Sequence, residues 1–278
     1  MERRNSFARA TSFCTGLLIV LSSCTLSAQP VESPQAQYNR GADYWYGRGV
    51  SQDYVEAANW FRKAAEGGHA ESQYRLAQML AIGQGIAQDH TEAANWYRKA
   101  AEQGFALAQY NLGTLYVFGR GVAMNYSEAA KWFRKAADQG IPEAQYNLAV
   151  SYRDGQGVSQ DFHEALAWFG KAADRGYPPA SFTLGLMYSD GQGVARNMAQ
   201  AATWFRKAAD LMYPPAQFNL GLLYSQGLGV PRDLAQAVEW FRQAAEGGVS
   251  QAQDALRALA ATGFLPAQNA LGMPAPPK

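Results

Sequence analysis

An all-α solenoid built from helical hairpins is what this sequence predicts, and three observations carry that expectation. Tryptophan recurs at 60, 96, 132, 168, 204 and 240, always 36 residues apart. A Gly-x-Gly pair keeps the same step: Gly47/Gly49, Gly83/Gly85, Gly119/Gly121, Gly155/Gly157, Gly191/Gly193 and Gly227/Gly229. An Asp or Asn followed three residues later by Glu or Gln repeats with them, at Asp53/Glu56, Asp89/Glu92, Asn125/Glu128, Asp161/Glu164, Asn197/Gln200 and Asp233/Gln236. A fixed period in this range means stacked supersecondary units, none of which can bury its apolar face alone.

The stretch from Ala108 to Glu143 shows what one unit contains. Ala108, Leu112, Leu115 and Tyr116 fall at helical spacing over 108–118, which predicts a short amphipathic helix A. The glycine pair that follows supplies the positive φ a tight reversal needs. The Asx–Glu/Gln pair reads as a capping box opening helix B. Ala129, Trp132, Phe133 and Ala136 form the apolar stripe of that helix, and Gly140 offers a left-handed stop. Helices of roughly 11 and 14 residues are marginal alone, so each pair must pack on the next. The small residue in mid helix A (Gly41, Ala77, Gly113, Ala149, Gly185, Gly221) admits a close neighbour. The Trp–Phe/Tyr pair of helix B supplies bulk and is expected in the core.

The pattern A-Q-Y-x-L-G-x-x-Y-x-x-G-x-G-V-x-x-D…A-x-x-W-F-x-K-A-A-x-x-G, written six times between 36 and 251, resembles the Sel-one-like repeat family, a relative of tetratricopeptide repeats. The resemblance implies a right-handed α-solenoid whose A helices line a concave surface. It also implies an adaptor in protein complexes, with many bacterial members residing in the envelope.

Outside the repeats the ends read differently. Arg3, Arg4 and Arg9 precede an apolar run from Phe13 to Leu21 and a small-residue zone to Ala28, so residues 1–28 are expected to be an export signal. Leu21-Ser22-Ser23-Cys24 resembles a bacterial lipobox, making Cys24 the candidate lipid-bearing residue; cleavage after Ala28 is the rival. Both cysteines, Cys14 and Cys24, lie in this leader. Residues 29–35 read as a tether, 252–263 as a lone capping helix and 264–278, with four prolines, as a disordered tail. Two internal departures stand out: Met212 replaces the terminal glycine of a B helix, and Gly170 replaces the usual Arg.

A net charge of +1 gives no electrostatic footprint for nucleic acid. Arg-Lys pairs such as Arg62/Lys63 and Arg134/Lys135 have acids one turn on (Glu66, Glu102, Asp138, Asp210), the spacing of a paired, solvated helix face. Three histidines at non-equivalent positions and no Ser-x-x-Lys give no metal or serine-nucleophile motif, so no cofactor and no catalysis are expected. Function is expected on the A-helix side. The candidate partner-binding residues are Trp45, Tyr46, Tyr74, Ile82, Tyr110, Val117, Phe118 and Tyr146, with the polar rows Arg153/Asp154, Ser189/Asp190 and Ser225/Gln226 beyond them. An apolar patch with aromatic anchors suits capture of a protein segment by a monomeric scaffold that meets membrane only through its N-terminal lipid. Saccharide or peptidoglycan-fragment binding by the same aromatic faces is the alternative, and a β-lactamase-like hydrolase a remote one.

Overall fold

Helix–loop–helix units follow one another through the computed structural model, which describes residues 32–273. The A and B helices are α1 (Pro34–Tyr46) and α2 (Tyr54–Glu66), α3 (Ala70–Ile82) and α4 (His90–Glu102), and α5 (Ala106–Phe118) and α6 (Tyr126–Asp138). They continue as α7 (Pro142–Asp154) and α8 (Phe162–Asp174), α9 (Pro178–Asp190) and α10 (Met198–Ala209), and α11 (Pro214–Gln226) and α12 (Leu234–Glu246). Each A helix packs on its own B helix, and each B helix on the next A helix, the arrangement of an α-solenoid. No strand occurs among the described residues.

The Asx caps form as expected. Asp53 accepts from the N–H groups of Val55 and Glu56, and Asn125 from that of Glu128. The reciprocal half of the capping box does not form. The cap residue's own N–H is already spent on helix A, as in Asp89 N–H to Leu80 O at 2.9 Å, so the third-position Glu is released for other work. Glu92 and Glu164 take the indole N–H groups of Trp96 and Trp168, at 3.1 and 3.0 Å.

The small residue of helix A seats the aromatic ring of its own B helix, whose backbone also comes close, as with Ala129 O 3.2 Å from a Cβ on Gly113. A Cβ built on Gly113 would stand 2.7 Å from the Phe133 ring. Phe61, Phe169, Phe205 and Phe241 are among the most buried large side chains, each stabilising by about 1.5–3 kcal/mol. The tryptophans lie farther out, with the lysine three residues on over the ring, for example Lys135 Nζ 3.8 Å and Lys171 Nζ 3.6 Å from the ring centres.

The second glycine of each loop makes the contact between units. A Cβ on Gly157 would lie 2.1 Å from the carbonyl oxygen of Tyr126, the first residue of the preceding B helix. Gly85, Gly121 and Gly229 press on the backbone of the preceding unit in the same way and Gly193 on the Phe162 side chain, whereas Gly49, in the first described unit, has nothing within 4 Å. Buried glutamines add a second link: Gln73, Gln109 and Gln145 donate to the carbonyls of Ala65, Ala101 and Ala137 at 3.1, 3.0 and 3.1 Å.

Several expectations need correction. The i,i+4 acid ladder gives way to longer connections: Arg62 pairs with Glu92 of the next B helix at 2.5 Å, and Arg98, Arg134 and Arg206 donate to Tyr116, Tyr152 and Tyr224. The tether expected over 29–35 is already α1 from Pro34, capped by Ser33. The tail expected over 264–278 contains a further helix, α14 (Leu265–Ala270), so the cap is two helices, α13 (Ser250–Ala261) and α14, joined to α12 by Leu256, Phe264 and Ala267. Its signal was legible: Pro266-Ala267-Gln268 restates the Pro-Ala-Gln that opens α11, and Gln268 donates to Ala260 O at 3.1 Å as the repeat glutamines do. Met212 keeps the turn of the glycine it replaces, at φ 59, and α10 stops one residue early. Gly170 has open space beside it, and the Arg–Tyr connection made in the neighbouring units is absent at that step. The leader and Cys24 lie outside the described residues.

Candidate functional site

The last residue of each A helix is held at the surface by the loop that follows it. Gly119 (φ 64) closes α5 by donating its N–H to Leu115 O, which leaves the side chain of Phe118 beyond the packed face. Tyr46, Ile82 and Phe118 occupy this position in the first three units and are 56, 66 and 62% exposed. The next three units place Asp154, Asp190 and Gln226 there, also exposed. Sequence spacing thus located an apolar row that changes to a polar one midway along the stack.

The other expected site residues divide. Val117 is half-buried beside Phe118 and joins the site. Trp45 packs edge-on against Tyr54 at 5.0 Å, inside its own hairpin. Tyr74 is a core residue, buried against Tyr97 and Phe105 with ring centres 5.8 and 5.0 Å away; it offers nothing to a partner. Tyr110 and Tyr146 are half-buried on Phe133 and Phe169, at 6.0 and 5.3 Å. Burial pushes the Tyr110 hydroxyl up from its ordinary value, as expected for a ring that serves packing. These tyrosines sit at helix position 5, which faces the B helix, whereas the exposed row of Tyr46, Ile82 and Phe118 sits at position 13.

A cavity of about 120 Å³ opens between the third and fourth units, walled by Val117, Phe118, Tyr126, Phe133, Val150 and Ser151. Ser151 is the clearest departure in its wall. The equivalent positions of the inner units carry Met79, Leu115, Met187 and Leu223, all buried, and Ser151 leaves the space they fill. The Ser151 hydroxyl turns away to donate to Asn147 O at 3.0 Å, and that of Thr114 donates to Tyr110 O at 3.1 Å. Both are satisfied by their own helices, so the cavity makes an apolar demand on whatever enters. Read down the column 79, 115, 151, 187, 223, the sequence itself shows Ser151 as the one small residue among large apolar ones. On the polar side, hydrogen bonds from Arg153 hold the Asp154 carboxyl below the usual carboxylate range, and the two charges neutralise each other at 2.7 Å. Among the described residues no cluster of His, Cys, Asp and Glu could hold a metal ion, and no helix is long and apolar enough to cross a membrane.

The model of the Sel1 repeat matches residues 34–69, 70–105, 106–141, 142–177, 178–211 and 214–249, and the fifth match stops just before Met212. Among solved structures, the chain is similar to c5321, a protective antigen present in uropathogenic Escherichia coli with an SLR fold, at 38% identity and TM-score 0.82. That likeness covers 86% of this chain and 52% of the other. It is also similar to a Sel1 repeat protein from Oxalobacter formigenes, at 35% identity and TM-score 0.73 over 82% of this chain and 66% of that one. The chain therefore spans about half and about two-thirds of the lengths of these relatives. No curated protein matches it. Proteins built of such repeats are in general protein-interaction scaffolds, and their solenoid is typically non-catalytic. With six tandem matches over most of its length, this chain belongs to the Sel1 repeat family.

Proposed function

We propose that this chain is a non-enzymatic scaffold that binds a protein partner along the outer ends of its first three A helices. The observation that carries the reading is the exposed row of Tyr46, Ile82 and Phe118 on consecutive hairpins. Large apolar side chains held at the same edge of adjacent units form a contiguous surface for a partner, and the glycine-closed loops keep that surface rigid. We further propose that the scaffold acts in the bacterial envelope, exported by residues 1–28 and anchored through Cys24; the leader's composition supports this.

The test is cross-linking capture from envelope extract by the parent chain and by a Y46S/I82S/F118S variant. These three side chains lie outside the core, so circular dichroism should be unchanged. A protein cross-linked to the parent and lost with the variant is the expected result. Equal capture by both would place any partner elsewhere. Mass spectrometry of the processed N-terminus tests the address: a diacylglyceryl-modified Cys24 is expected, and an unmodified terminus after Ala28 would remove the anchor.

A further inference from the structure

We infer that the cavity beside Ser151 is an anchor pocket that takes one aliphatic side chain of the partner, a leucine or methionine, followed or preceded within a turn by a carboxylate. The inference rests on the scaffold reading and adds to it a location and a chemistry. The volume, about 120 Å³, is of the size that holds a branched aliphatic group or a single small ring. The fold itself shows which side chains suit the position: Met79, Leu115, Met187 and Leu223 fill it elsewhere in this chain. The Thr114 and Ser151 hydroxyls on the wall are bonded to their own helices, so an entering apolar group breaks neither bond, while Tyr126, Asn147 and Gln156 add polar atoms to the lining.

The mouth supplies the second element. Phe118, 62% exposed, and Tyr126 flank the opening. The guanidinium of Arg120 lies over the Phe118 ring, 5.4 Å from its centre. Asp154, at the end of α7, is occupied by Arg153. The free charge at the mouth is therefore positive, and it favours an acidic neighbour beside the aliphatic anchor. An apolar anchor in a pocket with charge at the rim is the arrangement of an interface hot spot.

The probe is a displayed library of random twelve-residue peptides panned against the purified full chain. Enriched peptides should share Leu, Ile or Met with Asp or Glu within four residues, and a synthetic peptide of that pattern should bind the chain. In S151L the wall fills its own cavity, so affinity should fall about tenfold or more while the melting temperature rises. R120E should weaken the same peptide and leave the melting temperature where it is. Should S151L fold poorly, S151M makes the same test. Peptides whose affinity is indifferent to both substitutions overturn the pocket and leave the scaffold reading standing. Enrichment without the aliphatic–acidic pattern overturns it too, as does a library from which nothing is enriched. The cross-linking comparison then decides the scaffold reading separately.

Discussion

The junction between the third and fourth units and that between the fifth and sixth share their links, and at the tenth position of the A helix one carries Ser151 and the other Leu223. In both, a loop glycine, Gly157 or Gly229, presses on the first residue of the preceding B helix. In both, a glutamine donates to the same alanine carbonyl, Gln145 to Ala137 and Gln217 to Ala209. In both, an arginine reaches the next unit's tyrosine, Arg134 to Tyr152 and Arg206 to Tyr224. Yet Leu223 fills its junction and Ser151 leaves a cavity of about 120 Å³ in the other. Positions common to all units build the frame; the candidate site arises where one unit departs from it. A sealed void of that volume would cost roughly 3 kcal/mol at about 24 cal/mol per Å³, and this one, open at its mouth beside Phe118, costs less.

The comparison can be broken at the frame first. G157A places a Cβ 2.1 Å from Tyr126 O in a left-handed residue, and a denaturant titration should show a loss of more than about 3 kcal/mol. G49A, with the same φ sign and no neighbour, should lose only about 1–2 kcal/mol. Equal losses would mean that the loops do not join the units.

Exchange of the differing residue is the next largest effect. L223S should cost about 3 kcal/mol and open a second cavity, while S151L should gain about 1–2 kcal/mol. A crystal structure of each would show the cavity moved or closed. A third change concerns turns: Met212 sits at φ 59 where Gly68, Gly104, Gly140, Gly176 and Gly248 close the other B helices, so M212G should raise stability by about 1 kcal/mol. No gain would mean that Met212 has a compensating contact.

The smallest effect is a pH dependence confined to the first junction. His69 Nδ1 accepts the N–H of Ser72 to cap α3, and burial lowers its affinity for protons below the ordinary 6.5. The unfolded chain then binds more protons, so stability is full above pH 6.5 and falls as pH drops below it toward the depressed folded value. H69N, which caps without titrating, should flatten the melting-temperature profile there. The other A-helix starts carry no such group and serve as the internal control; a slope retained in H69N would assign it elsewhere.

Much of this was legible in the sequence. The period, the glycine pair and the Asx caps fixed the helices of the six repeats, their loop positions and their order, because backbone chemistry at a helix end is local. The apolar row at 46, 82 and 118 was also legible, since it stands at one fixed place in the repeat. What was misread depends on direction in space: Tyr74 and Trp45 share helix A with the exposed row yet face the B helix. α14 was hidden by tail prolines, although Pro266-Ala267-Gln268 repeats a helix start.

The sequence by itself determined the unit, its count and its family, because a local pattern repeated at constant spacing leaves little choice of packing partner. Only the tertiary structure decided which aromatics are core, where the arginines reach and that Ser151 leaves a cavity. Those outcomes depend on what the neighbouring unit brings to within a few ångströms, and that neighbour is a whole repeat away along the chain.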